Sequence, residues 1–206
     1  MKTSFVFIGL LAFALGIGIA RYYMPDSEPV LDTSGNSNTK VPVTPGKFGG
    51  DFTLLQDDQP VKLSDFRGKL VVMYFGYASC PDVCPTTLAV IASALRELAP
   101  EELEKVQPIF ISVDPQRDRG EKLTAYASYF HSSFIGITGT EEEVQKVANQ
   151  YGGFFIKVES DSAMGYLVDH TSKTYLVSRD GKYVTILPHD MTRDDVLNAI
   201  RSGLQG

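Results

Sequence analysis

The chain has 206 residues, 43% hydrophobic and 21% charged, an ordinary globular composition that fits one domain with an additional segment. Its net charge is −6; residues 1–24 carry only Lys2 and Arg21, so the remainder holds 17 basic against 25 acidic residues, a net −8. An acidic body excludes nucleic-acid binding, which depends on Lys and Arg neutralising phosphate, and two cysteines exclude both a disulfide framework and a four-cysteine zinc finger.

Met1-Lys2-Thr3-Ser4 leads into sixteen apolar residues, Phe5 to Ala20, and then Arg21. A spanning helix needs about 20 apolar residues, and Tyr22, Tyr23 and Met24 extend this run to the depth where aromatic rings favour the interface. The run predicts an export signal kept as a membrane anchor, residues 1–24. Gly18-Ile19-Ala20 offers a small-x-small cleavage site, but Arg21 follows it directly. The positive amino end places the body outside the cytoplasm, and the lack of an Arg-rich amphipathic start makes a bacterial inner membrane with a periplasmic domain the simplest setting. Residues 25–46 read as a flexible linker. Pro25, Pro29, Pro42 and Pro45 alternate there with Ser, Asn, Thr and Gly, too little apolar surface to offset ordering entropy.

The domain, residues 47–206, begins with a hairpin. Asp51–Leu55 and Pro60–Leu63 are joined by Gln56-Asp57-Asp58-Gln59. Leu70–Phe75 is a continuous apolar run, as in a strand buried on both faces. Leu88, Ile91, Ala92, Leu95 and Leu98 follow 3–4 spacing and predict a helix over Thr86–Ala99, ended by Pro100. Val106–Val113 is a second buried strand, Lys122–Phe130 a helix and Phe134–Ile137 a short strand. Thr140 and Glu143 form a capping box that starts a helix over Glu141–Gln150. Phe154–Val158 and Thr174–Val177 read as strands. Asp180-Gly181 marks a hairpin turn to a return strand, Tyr183–Leu187, and Thr192 or Asp194 opens a last helix to about Arg201. Strands alternating with helices, then a closing hairpin and helix, predict a three-layer α/β sandwich with a mixed sheet.

Phe75-Gly-Tyr-Ala-Ser-Cys80-Pro-Asp-Val-Cys84-Pro lies between a buried strand and a helix, where open α/β sheets bind ligands. A helix N-terminus favours a thiolate, which is both nucleophile and metal ligand. The cysteines are four apart; at helical spacing both sulfurs share one face, and Pro85 fits a first helical turn. Three readings stay open: a metal site, a redox dithiol, or two incidental buried thiols. Two sulfurs leave most metal sites incomplete, and His131, His170 and His189 are the candidates for a third ligand. His131 follows an amphipathic helix and His189 adjoins a turn, so both read as surface residues. His170 precedes a buried strand. Two thiolates with one imidazole suit Cu(I), and Cu(II) with an added ligand, whereas structural zinc takes a fourth. Met73, Met164 and Met191 form no methionine cluster; Met73 sits within a core strand.

Tyr74-Phe-Gly-Tyr-Ala-Ser-Cys80-Pro-Asp-Val-Cys84-Pro, Ser112-Val-Asp114-Pro-Gln-Arg-Asp118 and Asp169-His170-Thr resemble the Sco (SenC) family of copper-binding thioredoxin-fold proteins, over roughly residues 47–203. The resemblance implies a thioredoxin-like fold that binds one copper, as Cu(I) or Cu(II), through Cys80, Cys84 and His170. It also implies a copper-delivery or thiol-redox role in maturing the dinuclear copper centre of cytochrome c oxidase, with a reductase that keeps that centre's cysteines reduced, or a copper or redox sensor, as the alternatives. The implied partners are that enzyme's copper-site subunit and other periplasmic copper carriers or thiol reductants. Two departures stand out: Arg119-Gly120 replaces the usual Thr-Pro, and Thr171 replaces the common Ser after the histidine. No proline occurs between Pro115 and Pro188, so the cis-proline that thioredoxins set opposite the dithiol has no counterpart, and Asp169-His170 occupies the approach to that strand. Supporting roles are expected for Asp82, within the motif; for Asp114, at a strand end beside the cysteine loop or capping the Pro115 turn; and for Asp169, which could orient the imidazole although adjacent side chains on an extended segment point apart.

Overall fold

The computed structural model describes residues 48–161 and 164–205. The expected anchor, Phe5–Ala20, and the linker lie outside them, and among the described residues no helix is long and apolar enough to cross a membrane.

The chain opens with a hairpin, β1 (Thr53–Gln56) against β2 (Gln59–Lys62), turned by Asp57 and Asp58, both at positive φ. A 3-10 turn, Leu63–Phe66, leads to β3 (Leu70–Gly76). Every residue of β3 is buried, as its unbroken apolar run predicts. Each of its larger side chains contributes about 1.5–3 kcal/mol by leaving water. Helix α1 (Val83–Arg96) follows, then a single turn α2 (Pro100–Leu103), β4 (Val106–Ser112), α3 (Gly120–Phe130) and β5 (Ile135–Ile137). Helix α4 (Glu141–Gln150) has the expected capping box: Thr140 Oγ1 accepts from Glu143 N, and Glu143 Oε2 accepts from Thr140 N. A hairpin of β6 (Phe155–Glu159) and β7 (Tyr166–His170) precedes β8 (Thr174–Val177), β9 (Tyr183–Leu187) and α5 (Arg193–Gln205).

The main sheet has the order β5-β4-β3-β8-β9. β3, β4 and β5 are parallel; β8 and β9 run antiparallel, so the sheet is mixed as predicted. The helices α1, α3 and α5 pack on one face, where Tyr74 meets Phe110 and Phe110 meets Tyr126. The other face carries Phe75 and Tyr175 against Tyr151, at the end of α4. That is the expected three-layer sandwich.

Two boundaries differ from expectation in ways that shape the site. The first helix begins at Val83 rather than Thr86. Pro85 lies within its first turn, where a missing N–H costs nothing, so the helix reaches back to include Cys84. It also stops at Arg96, and Pro100 starts α2 instead of ending α1. The second difference is β7, which the sequence pattern did not reveal. Phe155–Glu159 is not a strand of the main sheet; it pairs with Tyr166–His170 in a separate two-stranded arm. The chain reverses near Gly165, whose φ of +73° favours glycine.

Candidate metal centre

Cys80, Cys84 and His170 come together in space. One ligand atom from each lies within 4.8 Å of both others. Cys80 lies in the loop between β3 and α1, Cys84 sits in the first turn of α1, and His170 closes β7. The sulfurs do not meet through i, i+4 positions of one helix, because Cys80 precedes the helix. The loop curls over the helix N-terminus instead: Cys80 N donates to Tyr77 O (3.1 Å), and the backbone N–H groups of Asp82 and Cys84 reach the Cys80 sulfur.

This geometry splits the two thiols. Cys80 is held well below the ordinary thiol pKa, first by the hydrogen bond from Cys84, against the cost of burial, and further by His170 and the two backbone N–H groups. Cys84 is pushed up by donating a hydrogen bond to the Cys80 sulfur and by burial. It is fully enclosed: Cys84 Sγ lies 3.3 Å from His170 Nε2 and accepts from the Tyr74 hydroxyl at 3.8 Å. Gly76 makes room for it, since a Cβ there would stand 2.8 Å from Cys84 Sγ, 2.9 Å from the Tyr74 ring and 3.0 Å from Phe110.

Strand parity aims the histidine. On β7, Val168 is buried and His170 points to the same side, facing Phe155 across the ladder. Asp169 alternates outward and is exposed. Its carboxylate therefore does not orient the imidazole. Tyr77 and Tyr74 instead hold the ring edge-on, with centroids at 5.9 and 6.2 Å.

The other expected residues fall as follows. Asp82 precedes α1 as its N-cap but is exposed and makes no side-chain cap bond. Asp114 is buried and does not reach the sulfurs; it accepts from the Tyr166 hydroxyl (2.8 Å) and pairs with Arg117. His131 bonds Ser133 Oγ (2.8 Å) at the end of α3. His189 is exposed; it shares with His170 and Phe154 an open cavity of about 520 Å³ but is not among the clustered ligand atoms. Met73 and Met191 are core, and Met164 is exposed.

Asp118 stands in the Ser112–Asp118 motif, but no role is read for it from the sequence, and the structure ties it to the cysteine loop. Its buried Oδ2 accepts from Ala78 N, inside the cysteine loop, and from Ser112 Oγ, both at 2.7 Å. Burial raises its pKa, against the pull of those two donors. The available signal was a second acid four residues beyond Asp114, leaving a buried strand.

Two soft thiolates and one imidazole suit a soft, low-coordinate ion, and the enclosed sulfurs with edge-on aromatic walls shield it from water. Fold and site thus define a thioredoxin-like protein with a Cys–Cys–His metal-binding constellation. The SCO1/SenC family profile matches residues 41–205, and the chain belongs to that family. It is similar to apo Sco1 of Thermus thermophilus, with 40% identity, a TM-score of 0.70, and 78% of this chain and 92% of that one covered. It is similar to Arabidopsis thaliana ScoI with copper bound, with 33% identity, a TM-score of 0.69 and coverage of 77% and 98%. It also matches BsSco, described as having a disulfide switch and as a member of the Sco family of cytochrome c oxidase assembly proteins, with 25% identity, a TM-score of 0.61 and coverage of 79% and 96%.

Proposed function

We propose that this chain is a copper metallochaperone for cytochrome c oxidase. It holds one copper ion, Cu(I) or Cu(II), on Cys80, Cys84 and His170 and passes it by ligand exchange to the copper-site subunit that receives the dinuclear centre. Phe5–Ala20 anchors it in the cytoplasmic membrane of a bacterium, with the domain in the periplasm and residues 25–46 as tether. Periplasmic copper carriers and thiol reductants supply it, because loading needs both cysteines reduced. The observation that carries the reading is the convergence of three ligand atoms within 4.8 Å on one buried spot. The likeness to a copper-bound ScoI supports the choice of metal.

A second role rests on the split between the thiols. The Cys80 thiolate attacks a disulfide sulfur of the target and displaces its partner as a thiolate. Cys84 then loses its proton and attacks Cys80 Sγ, releasing the target sulfur. The target gains two electrons, and this protein is left with a Cys80–Cys84 disulfide. His170 is not needed for that exchange, so it separates the two roles.

Anaerobic Cu(I) titration of the reduced protein tests the reading. One tight equivalent is expected, abolished as tight binding by Cys80→Ser or Cys84→Ser and weakened by His170→Ala. Binding indifferent to His170→Ala, or no binding, would overturn the chaperone site and leave the dithiol reductase.

A further inference from the structure

His170 rides on an arm that shares no ladder with the main sheet. Something other than strand pairing must fix the imidazole over the sulfurs. The inward faces of β6 and β7 supply part of the hold, through Phe155 and Val168. At the His170 end the arm is tied to itself, with Thr171 N donating to Phe154 O (3.0 Å). On β6, Lys157 pairs with Glu141 of α4; the tie that bears on β7 itself lies at its other end, and it centres on Arg117.

Arg117 lies in the loop after β4. Its Nη1 donates to Tyr166 O (3.1 Å) and Met164 O (3.3 Å), both on the arm. Its guanidinium lies over the Tyr166 ring, 3.9 Å from the centroid, and 5.6 Å from the centroid of Tyr77. Tyr77 is one of the two rings that flank His170. Asp114, buried at the end of β4, fixes the guanidinium by an ion pair and takes the Tyr166 hydroxyl with its other oxygen. One planar cation thus joins the core strand, the arm and the aromatic wall of the imidazole. Only arginine has the flat fork for two carbonyls, a carboxylate and a stacked ring at once.

We propose that Arg117, with Asp114 and Tyr166, is a positioning device that locks the β6–β7 arm and so holds His170 in place as the third copper ligand. The proposal rests on the copper-site reading above. The lock acts mainly on the histidine: Arg117 donates no hydrogen bond to the cysteine loop, the helix terminus or Asp118, which set the thiols, and its one contact with that loop is the longer one to the Tyr77 ring.

The test is a cycle in the full-length reduced protein, with Cu(I) affinity as the first readout. Arg117→Ala is expected to weaken Cu(I) binding about 10- to 100-fold, the range for residues that orient a metal ligand. In a His170→Ala background the same change should do nothing further. Arg117→Lys, which keeps the charge but not the fork, should fall between, and Tyr166→Phe should show the smallest loss; these two carry the cycle if Arg117→Ala does not fold. The second readout needs no copper: amide hydrogen exchange in the apoprotein should quicken across Tyr166–His170 and stay unchanged across Cys84–Leu88. An equal loss of affinity with and without His170, or exchange that quickens in both segments alike, would overturn the lock. If His170→Ala leaves affinity untouched, the copper-site reading fails, and the exchange pattern still decides the lock.

Discussion

The site is built from two unlike halves. The dithiol half belongs to the frame: Cys84 is fully buried in the first turn of α1, Gly76 of β3 leaves it its space, and the loop to Cys80 is pinned by buried Asp118. The histidine half belongs to an arm outside the main sheet whose outer face exposes Phe154, Ile156 and Val158. A two-stranded hairpin is marginal alone and holds its shape only where it is packed or tied. The contrast separates tasks. The frame fixes the sulfurs and their proton affinity, whereas the arm brings a ligand that local motion can withdraw while the core stays folded. The proposed handover of copper would use that division, because an ion that passes between proteins by ligand exchange gives up its ligands one at a time.

If the frame sets the thiols, Cys80 should react as a thiolate without help from copper. Its folded pKa lies below the ordinary value, so the ionised form persists as pH falls from 8 to 6. An ordinary thiol, with a pKa near 8.5, loses nearly tenfold in thiolate per pH unit over that range. Iodoacetamide should therefore modify the reduced apoprotein at an almost constant rate from pH 8 to pH 6. The flat pH profile, and not the absolute rate, is the signature, because a low-pKa thiolate is the weaker nucleophile. Mass mapping should place the label on Cys80, with Cys84 slow. A rate that falls tenfold per unit in the folded protein would show that the loop leaves Cys80 an ordinary thiol.

The next effect in size concerns the pin. Asp118→Ala leaves Ala78 N–H and the Ser112 hydroxyl without their acceptor, and an orphaned buried polar group costs about 1–3 kcal/mol. For a domain of this size each kcal/mol lowers Tm by about 2–4 °C. Asp118→Asn keeps a carbonyl oxygen for both donors. The sign with pH follows from the raised carboxyl pKa: the folded state holds the proton more tightly than the unfolded chain. The wild-type carboxyl therefore favours folding below its unfolded pKa and loses that contribution as pH rises through the folded one. The amide has no such loss. Thermal melts should show Asp118→Ala clearly destabilised, and Asp118→Asn gaining on the wild type as pH rises from 4 to 7. A wild type that gains on the amide over that range would mean the buried carboxylate is a net stabiliser when charged.

The sequence exposed the frame better than the arm, for physical reasons. Continuous apolar runs such as Leu70–Phe75 and a capping box such as Thr140/Glu143 are local signals, and the structure matches them closely. The Cys80–Cys84 motif and His170 were also legible, the first from its place between strand and helix, the second from the family resemblance. β7 was hidden because Tyr166–His170 mixes polar and apolar residues, and its partner lies across a reversal with no strong turn dipeptide. Arg117 and Asp118 were hidden for a different reason. A charged pair after a strand reads as a solvated turn, and only the fold discloses that Asp118 is buried and that Arg117 lies over Tyr166.

The smallest expected effect gives the sharpest test of the arm's orientation. Asp169 adjoins the histidine in sequence, and a carboxylate beside a metal-binding imidazole is a common orienting partner. Strand parity says otherwise: Asp169 pairs with exposed Ile156 on the outer face, while His170 faces inward opposite Phe155. Asp169→Asn should leave Cu(I) affinity unchanged within about twofold, and its effect on stability should stay within about 0.5 kcal/mol, as at other exposed positions. Tenfold weaker binding would place Asp169 and His170 on the same side, which a regular β7 cannot do; the strand would then have to bulge or break between the two residues when copper binds.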